Sequence, residues 1–282
     1  MNKTLFQSIF FLFLVLHCFE LKARTVFSTS ESCGRTERDQ NSMNWCLARN
    51  SSSKILMIYF HGFGQTEKRL IGDFNYPQLD AIGKQEFPNY IGISFGRFAV
   101  LNNSTAAAFF AEKIDEIVKS YFAESGIQKT VVLGDSLGGL NALQLLFWGR
   151  LTIKKMVLIC PAIAIANPFD NQGWQADPDT RQSSSIFRSS YRALLRASYK
   201  DSSEFSKNSA IENLLYSDKI FNSSIEESHI VTAGKDSYGF QEAHQVTCQK
   251  MNSKGMNCSR KVEISASHCK VSSAHLSKTI LD

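Results

Sequence analysis

The sequence predicts an α/β fold built on a mostly parallel, doubly wound sheet, and three observations carry that expectation. Short apolar runs rich in β-branched residues recur at 54–60, 90–94, 130–134, 155–160 and 228–233, and a further strand is read at 260–265. Helix-forming stretches lie between most of them, and strands alternating with helices imply a parallel sheet covered on both faces. Several runs end at a glycine, as at Gly62, Gly134 and Gly234, and the carboxyl ends of parallel strands are where such sheets bind ligands.

The elements follow in chain order. Met1-Asn2-Lys3 gives a positive start, and the wholly apolar segment 9–16 is shorter than the ~20 residues of a membrane span. With Leu21-Lys22-Ala23 as a small-residue cleavage site, residues 1–23 are expected to be a secretory signal peptide. The mature domain, 24–282, is then secreted or periplasmic; an uncleaved anchor is the alternative. Residues 25–53, polar with Ser and Asn clusters, are expected to form loops and an early strand. The strand 54–60 runs into His61-Gly62-Phe63-Gly64, where two glycines allow a sharp turn that aims a backbone N–H across the strand ends.

A helix over 106–122 precedes the next informative stretch, Thr130-Val131-Val132-Leu133-Gly134-Asp135-Ser136-Leu137-Gly138-Gly139. It sets one serine in a Gly-x-Ser-x-Gly frame between a β-branched run and the helix 140–148. A serine on a tight strand-to-helix turn exposes its hydroxyl and tolerates little bulk on either side, which Gly134 and Gly138 supply. Ser136 is therefore the candidate nucleophile, and the amides of Phe63 and Leu137 are the candidate oxyanion donors. A serine hydroxyl needs a base, and the base an orienting acid. The strand 228–233 ends in Gly234-Lys235-Asp236, and the loop after 260–265 carries His268. Asp236 is preferred to Asp170, Asp177 and Asp179, which follow the strand 155–160. His268 is preferred to His244, inside the helix 240–251, and to His275, far into the C-terminal segment. His61 is read as bracing its turn and Asp135 as making local contacts.

One segment breaks the alternation. About fifty residues, 167–217, separate two core strands, far more than an ordinary connection. It opens as loop and continues as helices over 185–200 and 204–216, and is expected to cap the strand ends. Arg188, Arg192, Arg196 and Lys200 recur every four residues on the first of these helices, with Phe187, Tyr191, Leu194 and Leu195 opposite. The stripe reads either as a solvated helix face or as a cationic patch for an anionic substrate or for weak association with an anionic surface such as a membrane. Trp174 and Phe169 either line a pocket or pack the cap.

Phe60-His61-Gly62-Phe63-Gly64, Gly134-Asp135-Ser136-Leu137-Gly138-Gly139, Gly234-Lys235-Asp236 and Ser267-His268 together resemble the α/β-hydrolase superfamily. The likeness spans about residues 54–269. Within that superfamily the chain is similar to the secreted esterase-like branch, on the helix opening Ser104-Thr105 and carrying Phe109-Phe110; Leu137 departs from the methionine often found there. The resemblance implies an α/β-hydrolase fold with a helical cap insertion and a triad of Ser136, Asp236 and His268 in that chain order. It further implies an oxyanion hole from Phe63 and Leu137, and cleavage of small-molecule or lipid-like carboxylic esters through an acyl-enzyme, with no cofactor and no metal. An acyltransferase, a peptidase or a thioesterase on the same fold, and a hydrolase-fold protein that only binds, are the alternatives.

Composition agrees with a globular chain: 282 residues, 43% hydrophobic and 20% charged, with a net charge of +5. No basic run accompanies that charge, so nucleic acid is not an expected partner. Nothing in the sequence specifies an oligomeric state. Of seven cysteines, Cys18 leaves with the signal, and six remain for an oxidising compartment. Short separations favour Cys33 with Cys46 and Cys248 with Cys258. Cys160 and Cys269 are then either bridged, pinning the loop of His268, or buried thiols. Asn50, Asn103 and Asn222 head Asn-x-Ser/Thr sites, glycosylated only on a eukaryotic secretory route.

Overall fold

The apolar runs become neighbouring strands of one sheet in a computed structural model, which describes residues 32–63, 88–96, 100–177, 185–236, 238–267 and 269. β3 (Ile55–Phe60), β4 (Asn89–Phe95), β5 (Lys129–Asp135), β6 (Thr152–Ile159), β7 (Ser224–Ala233) and β8 (Cys258–Glu263) run parallel. β1 (Ser32–Arg38) and β2 (Asn41–Ala48) add antiparallel pairs at one edge, giving the order β1-β2-β4-β3-β5-β6-β7-β8. The α/β class and the mostly parallel sheet are as the sequence predicts.

The N-terminal extension differs from the expectation of loops with a single early strand, because β1 and β2 form a hairpin. Its turn is Asp39-Gln40, both in the left-handed region with φ of 47° and 66°. Two-residue hairpins favour Asn-Gly or Asp-Gly at such positions, so the turn carries no sequence signal. Cys33 and Cys46 face each other in the ladder and are disulfide-bonded, as are Cys248 and Cys258.

Each central strand is buried on both faces. Leu56, Ile58 and Phe60 of β3 join the helices in one core, while Met57 and Tyr59 join Val131, Leu133, Val157 and Ile159 in another; all are at most 1% exposed. The period-two alternation of a strand sorts its residues between the two cores.

Helices α1 (Ser104–Phe122) and α2 (Leu137–Trp148) pack against each other and flank the sheet. α1 starts where the Asn103 side chain accepts from the amides of Thr105 and Ala106 at 2.8 and 3.1 Å. It buries Ala106, Phe110, Ile114 and Ile117, spaced three and four apart. α2 is buried at every residue from Leu137 to Phe147, which is why its sequence lacks a polar face.

Between β6 and β7 lie α3 (Asn171–Ala176), α4 (Ser185–Ser198), α5 (Ser202–Asn208) and α6 (Ala210–Tyr216); α7 (Gln241–Ser253) precedes β8. Two expectations are corrected here. The stretch read as loop contains α3, whose first turn is capped by Asp170 accepting from the Gln172 amide at 2.9 Å. The single helix over 204–216 is two, broken at Ser209 (φ −68°, ψ 121°), whose hydroxyl accepts from the Glu212 amide at 3.2 Å. α6 packs against α2 and α7. Gln144 of α2 ties the insertion down, donating to Leu101 O and Tyr199 Oη at 2.7 and 3.0 Å and accepting from the Ala210 amide.

The arginine stripe of α4 is turned largely onto its own insertion. Arg192 donates to Pro168 O at 2.6 Å and to Asn171 Oδ1 at 2.7 Å, and its guanidinium lies 5.6 Å from the centre of the Trp174 ring. Arg196 lies 5.5 Å from the centre of Phe169. Trp174 is 2% exposed, so it packs the insertion. No helix among the described residues is long and apolar enough to cross a membrane.

Candidate active site

Ser136 sits between β5 and α2 with φ 48° and ψ −120°, a conformation that non-glycine residues adopt only when their surroundings enforce it. Here the enforcement comes from β6 and the turn after it. The Ser136 amide donates to Ile159 O at 2.9 Å, and its carbonyl accepts from the Ala162 amide at 2.8 Å. On the other side, α2 presses against the end of β3. A β-carbon on Gly138 would lie 2.1 Å from Phe60 O and 2.4 Å from His61 O, so no side chain fits there. That close approach puts Leu137 and Phe63 on one cleft, with His61, Gly62 and Asn141. The two candidate oxyanion donors therefore border the same space. His61 Nδ1 is 2.7 Å from Gly62 O, a contact that braces the turn.

Asp236 lies in the turn after β7 and is 8% exposed; its carboxylate accepts from the Tyr238 amide at 2.9 Å. This turn is stitched to the one after β8. The Gly234 amide donates to Glu263 O at 2.8 Å and the Lys235 amide to Ala266 O at 2.9 Å. A β-carbon on Gly234 would lie 2.5 Å from the Ile264 Cα, so only glycine allows the two turns to meet. Phe187 of α4 stands 4.2 Å from Tyr238, ring centre to ring centre, which brings the insertion onto the Asp236 turn.

The far end of the same loop returns to the serine. Cys269 Sγ donates to Ile159 O at 3.4 Å, the carbonyl that also accepts from the Ser136 amide. Burial, then Cys160, then the carboxylates of Asp135 and Asp236 push the Cys269 thiol well above its usual range. Ser136, Asp236 and the residue after His268 are thus gathered at the carboxyl ends of β5, β6 and β7. His268 itself lies outside the described residues, as do Gly64, Asp179, His275 and the segment 1–23.

The remaining rivals have other engagements. Asp170 caps α3, and the Asp177 amide closes the same helix on Gly173 O at 3.0 Å. His244 is fully buried in α7, 2.7 Å from Pro161 O and 3.1 Å from Thr232 Oγ1. Arg260 Nε donates to the same Thr232 hydroxyl at 3.2 Å. Pro161 O can only accept, so His244 Nε2 carries the proton donated there, and Nδ1 of the neutral ring accepts from the Thr232 hydroxyl. Tyr191 donates to the next carbonyl, Ala162 O, at 2.5 Å, and its burial drives the phenol far above its ordinary pKa. His244 and Tyr191 hold the turn that in turn holds Ser136. Sequence reasoning missed both roles, since Pro161 is 83 residues from His244 and Ala162 is 29 from Tyr191, separations that no local pattern spans. Among the described residues, no group of three or more His, Cys, Asp or Glu side chains is arranged to hold a metal ion.

No family model matches the sequence, and no curated protein does. Solved structures do match the fold. Brefeldin A esterase, described as a bacterial homologue of human hormone-sensitive lipase, is similar at a TM-score of 0.65 and 14% identity, covering 98% of this chain and 79% of that one. The Francisella virulence factor BioJ gives 0.59 at 15% identity, with 97% and 89% covered. A thermophilic carboxylesterase cloned from a metagenomic library gives 0.55 at 14%, with 95% and 93% covered. At such identities the likeness speaks for architecture, and with the strand order and the serine turn it leads to one conclusion: this chain has the α/β-hydrolase fold.

Proposed function

We propose that the protein is an exported serine hydrolase that cleaves carboxylic esters, small-molecule or lipid-like, with Ser136 as nucleophile, His268 as base and Asp236 as its orienting acid. The observation that carries the reading is the strained turn of Ser136 sharing the Ile159 carbonyl with Cys269, the neighbour of His268. In the cycle, His268 takes the proton of Ser136 as its oxygen attacks the ester carbonyl. The amides of Phe63 and Leu137 receive the oxyanion, and Asp236 stabilises the imidazolium. The alcohol leaves with the proton from His268. Water, deprotonated by the same imidazole, then releases the carboxylic acid and restores Ser136.

The esterases among the structural neighbours support the reaction class, and the two disulfides are in keeping with an oxidising compartment reached through residues 1–23. The insertion 167–217 touches the Asp236 turn through Phe187, which supports its reading as a cap that selects the substrate.

Labelling of the purified mature protein with a fluorophosphonate tests the nucleophile, and a chain-length series of p-nitrophenyl esters tests the substrate class. The parent is expected to label and to hydrolyse the esters, and Ser136→Ala to do neither. Undiminished labelling in Ser136→Ala would overturn the assignment.

A further inference from the structure

Two sulfurs lie against the site and take no part in the proposed ester chemistry. Cys160 is the first residue after β6 and is wholly buried; Cys269 is partly buried. Both are thiols, in a chain whose other described cysteines are paired. The Cys269 amide donates to Cys160 Sγ at 3.1 Å, and Cys269 Sγ is 3.9 Å from Cys160 O. The backbones thus already lie side by side, each sulfur reaching the other residue. Both residues also hold φ in the left-handed region, at 44° and 53°. A β-carbon is disfavoured there, so the conformation is imposed by the two turns that bring these side chains together.

We propose that Cys160 and Cys269 form a third disulfide in the mature protein, tethering the loop of His268 to the strand end that holds the Ser136 backbone. Its formation is independent of the ester-hydrolase reading; only its effect on turnover rests on that reading.

The oxidant is a low-molecular-weight disulfide. The Cys269 thiolate attacks one of its sulfurs, forming a mixed disulfide and expelling a small thiolate that takes up the proton lost from Cys269. Cys160, deprotonated in turn, attacks the Cys269 sulfur and expels the second small thiol. Two protein S–H bonds become one S–S bond, and two electrons pass to the small disulfide, which leaves as two thiols. Only the thiolate attacks, and burial keeps the Cys269 proton on. Closure in the folded protein is therefore slow near neutrality and accelerates as pH rises.

The bridge would join positions 109 residues apart. It would hold Cys269, the residue next to the proposed base, covalently at the strand end that fixes the Ser136 backbone, and so favour the positioning of that base.

The test incubates the full mature protein with oxidised glutathione at alkaline pH, alkylates it, and digests it without reduction for mass spectrometry. The expected product is one cross-linked peptide pair containing Cys160 and Cys269, lighter than the two thiol peptides together by two hydrogens. Recovery of both residues as alkylated or glutathione-bearing forms, or paired with other cysteines, would overturn the proposal. In parallel, ester turnover of the bridged and thiol forms is compared, with the double variant Cys160→Ala/Cys269→Ala as control. Bridging is expected to raise kcat several-fold with KM little changed, and the double variant to ignore the oxidant. Equal kcat in the two forms would refute the tether's effect on the histidine loop. If neither form hydrolyses any ester, the hydrolase reading fails, and the mass result still decides the bridge.

Discussion

Replacing His244 with phenylalanine probes the support beneath the serine turn. The ring shape is kept, but both nitrogens are lost, so Pro161 O loses one of its two donors, keeping the Ile163 amide at 2.8 Å, and the Thr232 hydroxyl loses its acceptor at 3.1 Å. His244 and Thr232 have no exposure, so water does not replace the missing partners. A buried polar group left unsatisfied costs about 1–3 kcal/mol. Pro161 O keeps the Ile163 amide and Thr232 its bond from Arg260, so both losses are partial, and the sum is about 1–3 kcal/mol. At about 2–4 °C per kcal/mol for a domain of this size, Tm falls by roughly 2–12 °C. Urea unfolding followed by tryptophan fluorescence measures the loss, with an unchanged m-value confirming that native stability is what moved. His244→Gln, with an amide able both to donate and to accept, should recover part of it. A loss for His244→Phe below about 1 kcal/mol, at unchanged m, would refute the reasoning.

Three further outcomes are expected. Asp236→Asn should lower kcat by about 10³–10⁴-fold on a good ester, through a misdirected imidazole; near-normal turnover would point to another acid. Gly138→Ala should cost about 3 kcal/mol or more in urea unfolding, because its β-carbon meets the main-chain oxygens of Phe60 and His61, which no rotamer change relieves; stability within 1 kcal/mol of the parent, on the same ~1–3 kcal/mol scale, would contradict the geometry. His229, half-buried beside Glu227 and Ser259, has its pKa lowered from 6.5 chiefly by burial. The unfolded chain then binds a proton that the native protein still refuses, so stability falls as pH drops below 6.5. His229→Gln should flatten that limb of the urea-midpoint curve; an unaltered slope would rule it out.

The central strands were legible because burial on both faces demands continuous apolar runs, as in Ile55–Phe60 and Thr152–Ile159. The position of Ser136 was legible for a different reason: the close contacts of its turn exclude side chains, and that exclusion is written as glycine. The β1–β2 hairpin was not, since its strands are half-exposed and its turn residues are unusual for their φ. The break between α5 and α6 did leave a trace, Ser209 followed three residues on by Glu212, which a reading by hydrophobic period alone passes over. The strand ending the sheet begins at Cys258, two residues before the stretch 260–265 read as a strand, because its pairing with Ser228 starts in polar sequence. The bracing of the serine turn by His244 and Tyr191 had no local pattern to announce it, because each hydrogen bond joins residues far apart in the chain.

The two rims of the sheet carry one more consequence. Arg35, Glu37 and Arg38 stand outward on β1, and Lys261 on β8 is likewise exposed. An incoming strand from another molecule would have to strip solvent from these charges before making a single main-chain bond. Among the described residues, that cost to edge-to-edge stacking is built into the outermost strands.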